Sequence, residues 1–242
     1  MIQHRRPKVW FGILGFGILA AVTMPAHATP SGTAYAATLQ GSQVSRNWAG
    51  YVVSGRPVTA VQARWTVPAP SGRGMVAVWV GLGGDPQHRL LQAGTLTRQT
   101  KSGPHTQLWV EGLPQGMDPL LRDLTPGEPV GIDVSHRQGM QWTLTILAGT
   151  ATKTYVIPYA IHPHTAEWIV EDPVIAARGF AHFAQFAPIT FTQASATVGG
   201  EPMGPAAGSA ISLATPHRLL AIPQPASGSS FTVIRENAAN TV

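Results

Sequence analysis

The sequence predicts an all-β protein, a sandwich of two bent antiparallel sheets, on three observations. Short apolar alternations of period two recur from Asn47 onward. Clusters of Gly, Pro, Ser and Asp separate them at the intervals expected of strands joined by turns. The 242 residues are 44% apolar but only 11% charged, against about 25% charged in an ordinary soluble domain. That balance is the reverse of a disordered chain, which is polar and highly charged. Cysteine is absent, which excludes a disulfide framework and a cysteine-based metal site.

Residues 1–28 read as a secretory signal. His4, Arg5, Arg6 and Lys8 precede an apolar run from Val9 to Val22, and Ala26-His27-Ala28 places small residues around a cleavage point. The run is shorter than the roughly 20 residues that span a bilayer as a helix, so no membrane association is expected after its removal. Cleavage takes three of the 16 Lys and Arg side chains and leaves 13 against 11 Asp and Glu. The remaining basic residues are scattered singly, which argues against nucleic acid as a partner. Residues 29–45, rich in Ala, Gly, Ser and Thr, read as a flexible lead-in or short pro-segment. Residues 46–242 then form one β-sandwich domain, expected to be monomeric. Few carboxylates mean few native charge pairs to lose on acidification, which fits an acidic extracellular environment.

Within that domain twelve strands are expected. They are 48–53, 60–67, 75–82, 90–96, 105–113, 129–136, 141–148, 152–157, 167–171, 189–198, 210–213 and 230–234. Between Val174 and Phe186, the apolar spacing of Ile175, Phe180 and Phe183 suggests one helical turn, limited by Pro173 and Gly179. Gly199–Gly208, with Pro202 and Pro205, reads as a surface loop.

Strand side chains alternate between faces, which sorts the candidates for chemistry. Val76, Val78, Val80 and Leu82 make a core stripe, and Ala77, Trp79 and Gly81 take the opposite face. An indole beside bare backbone suits a groove floor that an extended ligand approaches closely, although for Trp79 taken alone a cover over the second sheet is the simpler account. Gln92 lies between Leu90 and Gly94 on one face, and a glutamine there needs hydrogen-bond partners or a cavity. Trp109 shares a face with Glu111. Glu167, Ile169 and Glu171 share another, with Trp168 and Val170 opposite. Carboxylates in apolar strands are costly unless paired or protonated. For Glu171, hydrogen bonding to backbone is the simpler account.

The blocks Asn47-Trp48-Ala49-Gly50-Tyr51, Trp65-Thr66-Val67-Pro68, Trp79-Val80-Gly81-Leu82-Gly83-Gly84, Leu91-Gln92-Ala93-Gly94-Thr95, Trp109-Val110-Glu111 and Ala166-Glu167-Trp168-Ile169-Val170-Glu171 together resemble the glutamic peptidases, or eqolisins. The resemblance covers roughly Ser45 to Thr197. It implies a concanavalin A-like or jelly-roll sandwich with a concave cleft, and a secreted acid endopeptidase that uses a Gln–Glu pair on polypeptide substrates with no metal or cofactor. Carried over by motif, Gln92 and Glu167 fall on catalytic positions, and Trp48, Trp79 and Glu111 line the cleft, with Trp109 beside them as a further substrate-binding residue. Gly83 and Leu96 stand where fungal members carry acidic residues.

Two alternatives share these residues. A glycosidase would pair two carboxylates, but Glu167 and Glu171 lie about 13 Å apart along one strand. Glycosidase pairs reach at most about 9.5 Å, so a facing strand such as that of Glu111 would have to supply the partner. A carbohydrate- or wall-binding module would use the aromatics without turnover. Lesser constellations carry less. His162-Pro163-His164 lacks an obvious third metal ligand, Gly208-Ser209-Ala210 does not make a nucleophile elbow, and no Lys-Ser or Lys-Thr follows the glycines near residue 200 as a phosphate cradle requires.

Overall fold

The structure, a computed structural model, describes residues 43–175 and 179–236. Residues 1–42, on which the expected signal and most of the expected lead-in fall, lie outside the described residues. The strands are β1 (Gln43–Ser45), β2 (Trp48–Ser54), β3 (Val58–Thr66), β4 (Met75–Gly83), β5 (Leu91–Thr100), β6 (Gly103–Gly112), β7 (Met117–Leu124), β8 (Pro129–Gln138) and β9 (Gln141–Ala148). They continue as β10 (Ala151–Pro158), β11 (Thr165–Glu171), β12 (Val174–Ile175), β13 (Gly179–Phe180), β14 (Ile189–Val198), β15 (Glu201–Met203), β16 (Ser209–Ala214), β17 (Leu219–Pro223) and β18 (Phe231–Arg235).

The expected sandwich is present, and its two layers are joined by hydrogen bonds. One continuous sheet runs β10-β9-β8-β3-β14-β18-β17-β16-β2-β11-β4-β5-β6-β7. It turns from one layer to the other through β14, whose first residues pair with β18 and whose later ones pair with β3. The register shifts between Thr192 and Ser195, where a bulge bends the strand. Pairing along this path is antiparallel, and β1 alone joins in parallel, on β16.

Period-two patterning decides which side of each layer becomes core. Along β9, Trp142, Leu144, Ile146 and Ala148 are buried while Gln141, Thr143, Thr145 and Leu147 turn outward. From the opposite layer, Val76, Val78, Val80 and Leu82 of β4 and Ala166, Trp168 and Val170 of β11 meet Val61, Ala63 and Trp65 of β3 in one cluster. Two indoles also bond across the layers. Trp168 Nε1 donates to the Gln62 carbonyl at 2.8 Å and Trp65 Nε1 to Thr95 Oγ1 at 3.2 Å. Strands β4, β5 and β11 are buried on both faces, because their outer face carries a second cluster around Trp48, Trp79, Trp109 and Ile169.

All twelve expected strands form, with ends moved by a few residues. Strand β7 escaped the alternation pattern because Asp118, Pro119 and Asp123 interrupt it, and proline is tolerated there at the sheet's edge. Strand β17 is a continuous apolar run without alternation. The helical turn expected between Val174 and Phe186 is not formed among the described residues. Instead β12 pairs with β13, Phe183 bridges to Met75, and Phe183 and Phe186 reach into the core from a strap beside the start of β4. Of the residues that suggested the turn, Phe183 is buried and Phe180 exposed, so their spacing marks no common face. The 199–208 surface loop is also corrected. Gly199 and Gly200 make a tight reversal that lets β15 pair back onto β14, and Pro205 is buried in a 3₁₀ turn. The last three lead-in residues, Gln43–Ser45, are strand β1.

Trp168 both fills the core and ties the layers. Its replacement by Ala is expected to cost about 3–5 kcal/mol, the usual range for truncating a buried tryptophan. Urea unfolding followed by fluorescence near pH 4 measures the loss.

Candidate active site

The second cluster coats the outer face of the layer made by β2, β11, β4, β5 and β6. Strand register arranges this face in rows. Val52, Glu167, Gly81, Gln92, Glu111 and Met117 are successive cross-strand neighbours. One step along the strands come Gly50, Ile169, Trp79, Gly94 and Trp109, then Trp48, Glu171, Ala77 and Leu96. All six side chains singled out from the sequence, Gln92, Glu167, Trp48, Trp79, Trp109 and Glu111, thus meet on one face, and all are buried.

Only Gly81 separates Gln92 from Glu167 in their row, about 10 Å of backbone at the usual strand spacing. A Cβ at Gly81 would lie 2.8 Å from the Trp79 ring and 3.1 Å from Glu167 Oε2. The missing side chain lets the Trp79 ring, Leu90 and Glu167 Oε2 close over bare backbone between amide and carboxyl. Unpartnered polar atoms gather around it. Gln92 Nε2 donates to Glu111 Oε2 at 2.7 Å, while Gln92 Oε1, Glu111 Oε1 and Glu167 Oε2 are buried without hydrogen-bond partners, as is Trp109 Nε1. A buried polar group left unpaired typically costs about 1–3 kcal/mol, so a row holding three such oxygens is a site that awaits a ligand.

The other oxygen of Glu167 is engaged: Thr165 Oγ1 donates to Oε1. Burial pushes the Glu167 carboxyl up to about 7, with the Thr165 bond pulling the other way. Glu111 is raised to about 8, by burial first and by the nearby Glu171 charge, against the Gln92 hydrogen bond.

Glu171 props the floor. Its Oε2 accepts from Trp79 Nε1 at 2.7 Å and its Oε1 from Asn47 Nδ2 at 3.0 Å, so side chains hold it where backbone was expected. Trp48 stacks edge-on against Trp79, with centroids 5.1 Å apart. The adjoining turn is pinned by Asp85, which accepts from Arg89, Gln87 and the His162 amide and so ties the segment leading to Leu90 to the one leading into β11. Burial pushes the Asp85 carboxyl up, but the Arg89 hydrogen bond and the two amides bring it down to about 2.

Thr165 and Asn47 belong to this arrangement without having been named as site residues, and Gly83 was noted as a departure from the fungal pattern. The available signal for Thr165 was its place two residues before Glu167, on the same face of the strand. For Asn47 there was none, since its partner lies 124 residues away. Among the described residues no group of three His, Asp or Glu is placed to hold a metal ion, and His162 takes part through its backbone amide.

Comparison with known proteins places this geometry in context. A model of the Peptidase A4 family matches residues 46–235. Aspergillopepsin-2 of Aspergillus niger is 26% identical over 193 residues, which cover 67% of this chain and 68% of that protein. Scytalido-glutamic peptidase, solved with a peptide-based transition-state analogue, aligns with a TM-score of 0.69 at 22% identity over 79% of this chain and 98% of that one. SCP-B, an eqolisin solved with the tripeptide Ala-Ile-His, aligns at 0.68 with 21% identity, again over 79% and 98%. At these identities the two structures show a shared fold.

The raised carboxyls set the sign of a pH dependence. Glu111, Glu167, Glu171 and Asp172 have folded-state values of about 7 or 8, and desolvation is the leading cause for each. The unfolded chain ionises them near pH 4. Their native environment therefore costs nothing below about pH 4, and stability is lost as pH rises from there through 7 to 8. Asp85 acts oppositely, losing its contribution as pH falls from about 4 through 2. The expected thermal midpoint is highest near pH 4, falls steadily toward pH 8, and declines mildly below pH 3. Calorimetry across that range checks it.

Proposed function

The chain belongs to the Peptidase A4 family and is a peptide hydrolase, and from that premise we propose that it is a secreted acid endopeptidase in which Glu167 and Gln92 share the chemistry. The observation that carries this reading is the row in which Glu167 and Gln92 flank Gly81 with unpartnered oxygens on both. Family membership replaces the two sugar-directed alternatives.

With its carboxyl raised to about 7, Glu167 starts the cycle protonated in acid. A water between Glu167 and Gln92 attacks the scissile carbonyl carbon as Glu167 gives its proton to the carbonyl oxygen. The same carboxylate takes a proton back from the attacking water, leaving a neutral tetrahedral intermediate. The second hydrogen on Gln92 Nε2, the one not given to Glu111, faces the carbonyl oxygen and stabilises the charge that develops there, while Gln92 Oε1 orients the water. Such a donor typically contributes about 10²–10³ in turnover. Glu167 then protonates the leaving nitrogen, the C–N bond breaks, and the acid product returns its extra proton to Glu167. Trp48, Trp79 and Trp109 form the floor along which an extended peptide packs. The 1–28 segment directs export, and residues 29–42 precede the catalytic domain.

This reading is tested by casein digestion near pH 3 with pepstatin present, which blocks paired-aspartate proteases. Activity is expected to persist with pepstatin, to fall as pH rises through about 7 with loss of the Glu167 proton, and to vanish in Glu167→Gln. Gln92→Ala is expected to retain the fold and lose roughly 10²–10³ in turnover. Gly81→Ala, whose methyl crowds the Trp79 ring and Glu167 Oε2, is expected to lose activity while its far-ultraviolet circular dichroism stays unchanged. Full activity in Glu167→Gln or Gln92→Ala removes that residue from the mechanism.

A further inference from the structure

Glu167 has two carboxyl oxygens, and the structure treats them unequally. Oε1 accepts the Thr165 hydroxyl hydrogen bond, whereas Oε2 is buried, unpartnered and lies over the bare backbone of Gly81, on the side of Gln92. We infer that Thr165 is a positioning residue for peptide hydrolysis: by occupying Oε1 as an acceptor it confines the transferable proton of Glu167 to Oε2, the oxygen that faces substrate. This rests on the reading of Glu167 as the reacting carboxyl.

The argument is one of donor and acceptor inventory. A protonated carboxyl has one O–H and one carbonyl oxygen, and it can place the proton on either atom. While the hydroxyl donates to Oε1, Oε1 is the carbonyl partner and the proton sits on Oε2. Without the hydroxyl, the two assignments become comparable and the carboxyl is free to turn. Strand geometry fixes the contact, because residues two apart on β11 stand side by side on one face. Bare backbone at Gly83 completes it. A Cβ there would lie 2.8 Å from Glu167 Oε1 and 3.3 Å from Thr165 Oγ1, so any side chain would displace the pair.

The same bond opposes burial in setting the Glu167 proton affinity, since a donor to Oε1 favours the ionised form. The other titratable groups near this pair are Glu171 on the same strand, Glu111 on β6, and His164 and Asp85 at the end of the row. Replacing Thr165 leaves each of them in place.

The test compares Thr165→Val, which keeps the branched shape and removes the donor, with Thr165→Ser, which keeps the donor. Glu167→Gln serves as a reference, and the substrate is an internally quenched peptide that the wild-type protein cleaves. Thr165→Val is expected to lower kcat roughly tenfold, the scale of a hydrogen bond to a reacting charged group, with KM unchanged. It is also expected to move the alkaline limb of the kcat profile to higher pH, because the donor favouring ionisation is gone. Thr165→Ser is expected to restore both. An unchanged kcat, a loss carried by KM, an unmoved alkaline limb, or a Ser variant no better than Val overturns the inference. If Val at 165 prevents folding, Thr165→Ala is read against Ser by the same criteria. Activity in Glu167→Gln sinks the catalytic reading itself, whereas an inactive Glu167→Gln beside a wild-type-like Thr165→Val sinks the role of Thr165 alone.

Discussion

A carboxyl group in water ionises near pH 4, and four in this protein do not. Withdrawal from water is the constraint on which the rest depends. Indole rings and bare glycine backbone make up the outer face of the central layer, and neither solvates an ion. The sheet can hide carboxyls there because the layer is covered on both sides. Its inner face packs on the other layer and its outer face on tryptophan. The same desolvation keeps the Glu167 carboxyl protonated in acid and lowers the stability of the folded chain as pH rises toward neutral. Chemistry and stability thus share one physical origin.

The carboxyls divide their work by the partners they keep. Glu171 has both oxygens satisfied by Trp79 and Asn47, so it behaves as a rivet in the floor. Glu111 accepts from Gln92 and fixes which way that amide points. Glu167 and Glu111 each keep one oxygen without a partner. A fully satisfied buried group rigidifies its surroundings, whereas a partly satisfied one carries free energy that a ligand can recover. Satisfaction, more than burial, sets Glu171 apart from Glu167 and Glu111.

The departures noted in the sequence acquire physical meaning in the structure. Gly83 is not an idle loss of an acidic neighbour, because its bare backbone is where Glu167 Oε1 and the Thr165 hydroxyl fit. Leu96 sits on the floor opposite Ala77, in the row that also contains Glu171. An apolar residue there leaves Glu171 with Asn47 and Trp79 as its partners and adds no further charge to a face already crowded with carboxyls.

The sequence by itself determined the strands and, through their alternation, the face on which each functional side chain stands. Gln92 opposite Ala93, Glu167 opposite Trp168, and Trp79 opposite Val80 follow from period two alone, since that relation holds between adjacent residues. Strand β7 and the strap after Val174 escaped because their apolar residues serve edge pairing and anchoring, which carry no fixed period. Only the tertiary structure decided that β11 lies between β2 and β4, which are far from it in sequence. That pairing sets Glu167 beside Gly81 and Gly81 beside Gln92. Side-chain direction is a local property of the strand, whereas neighbourhood and dielectric belong to the assembled sheet, and the proton affinity of Glu167 is set by both.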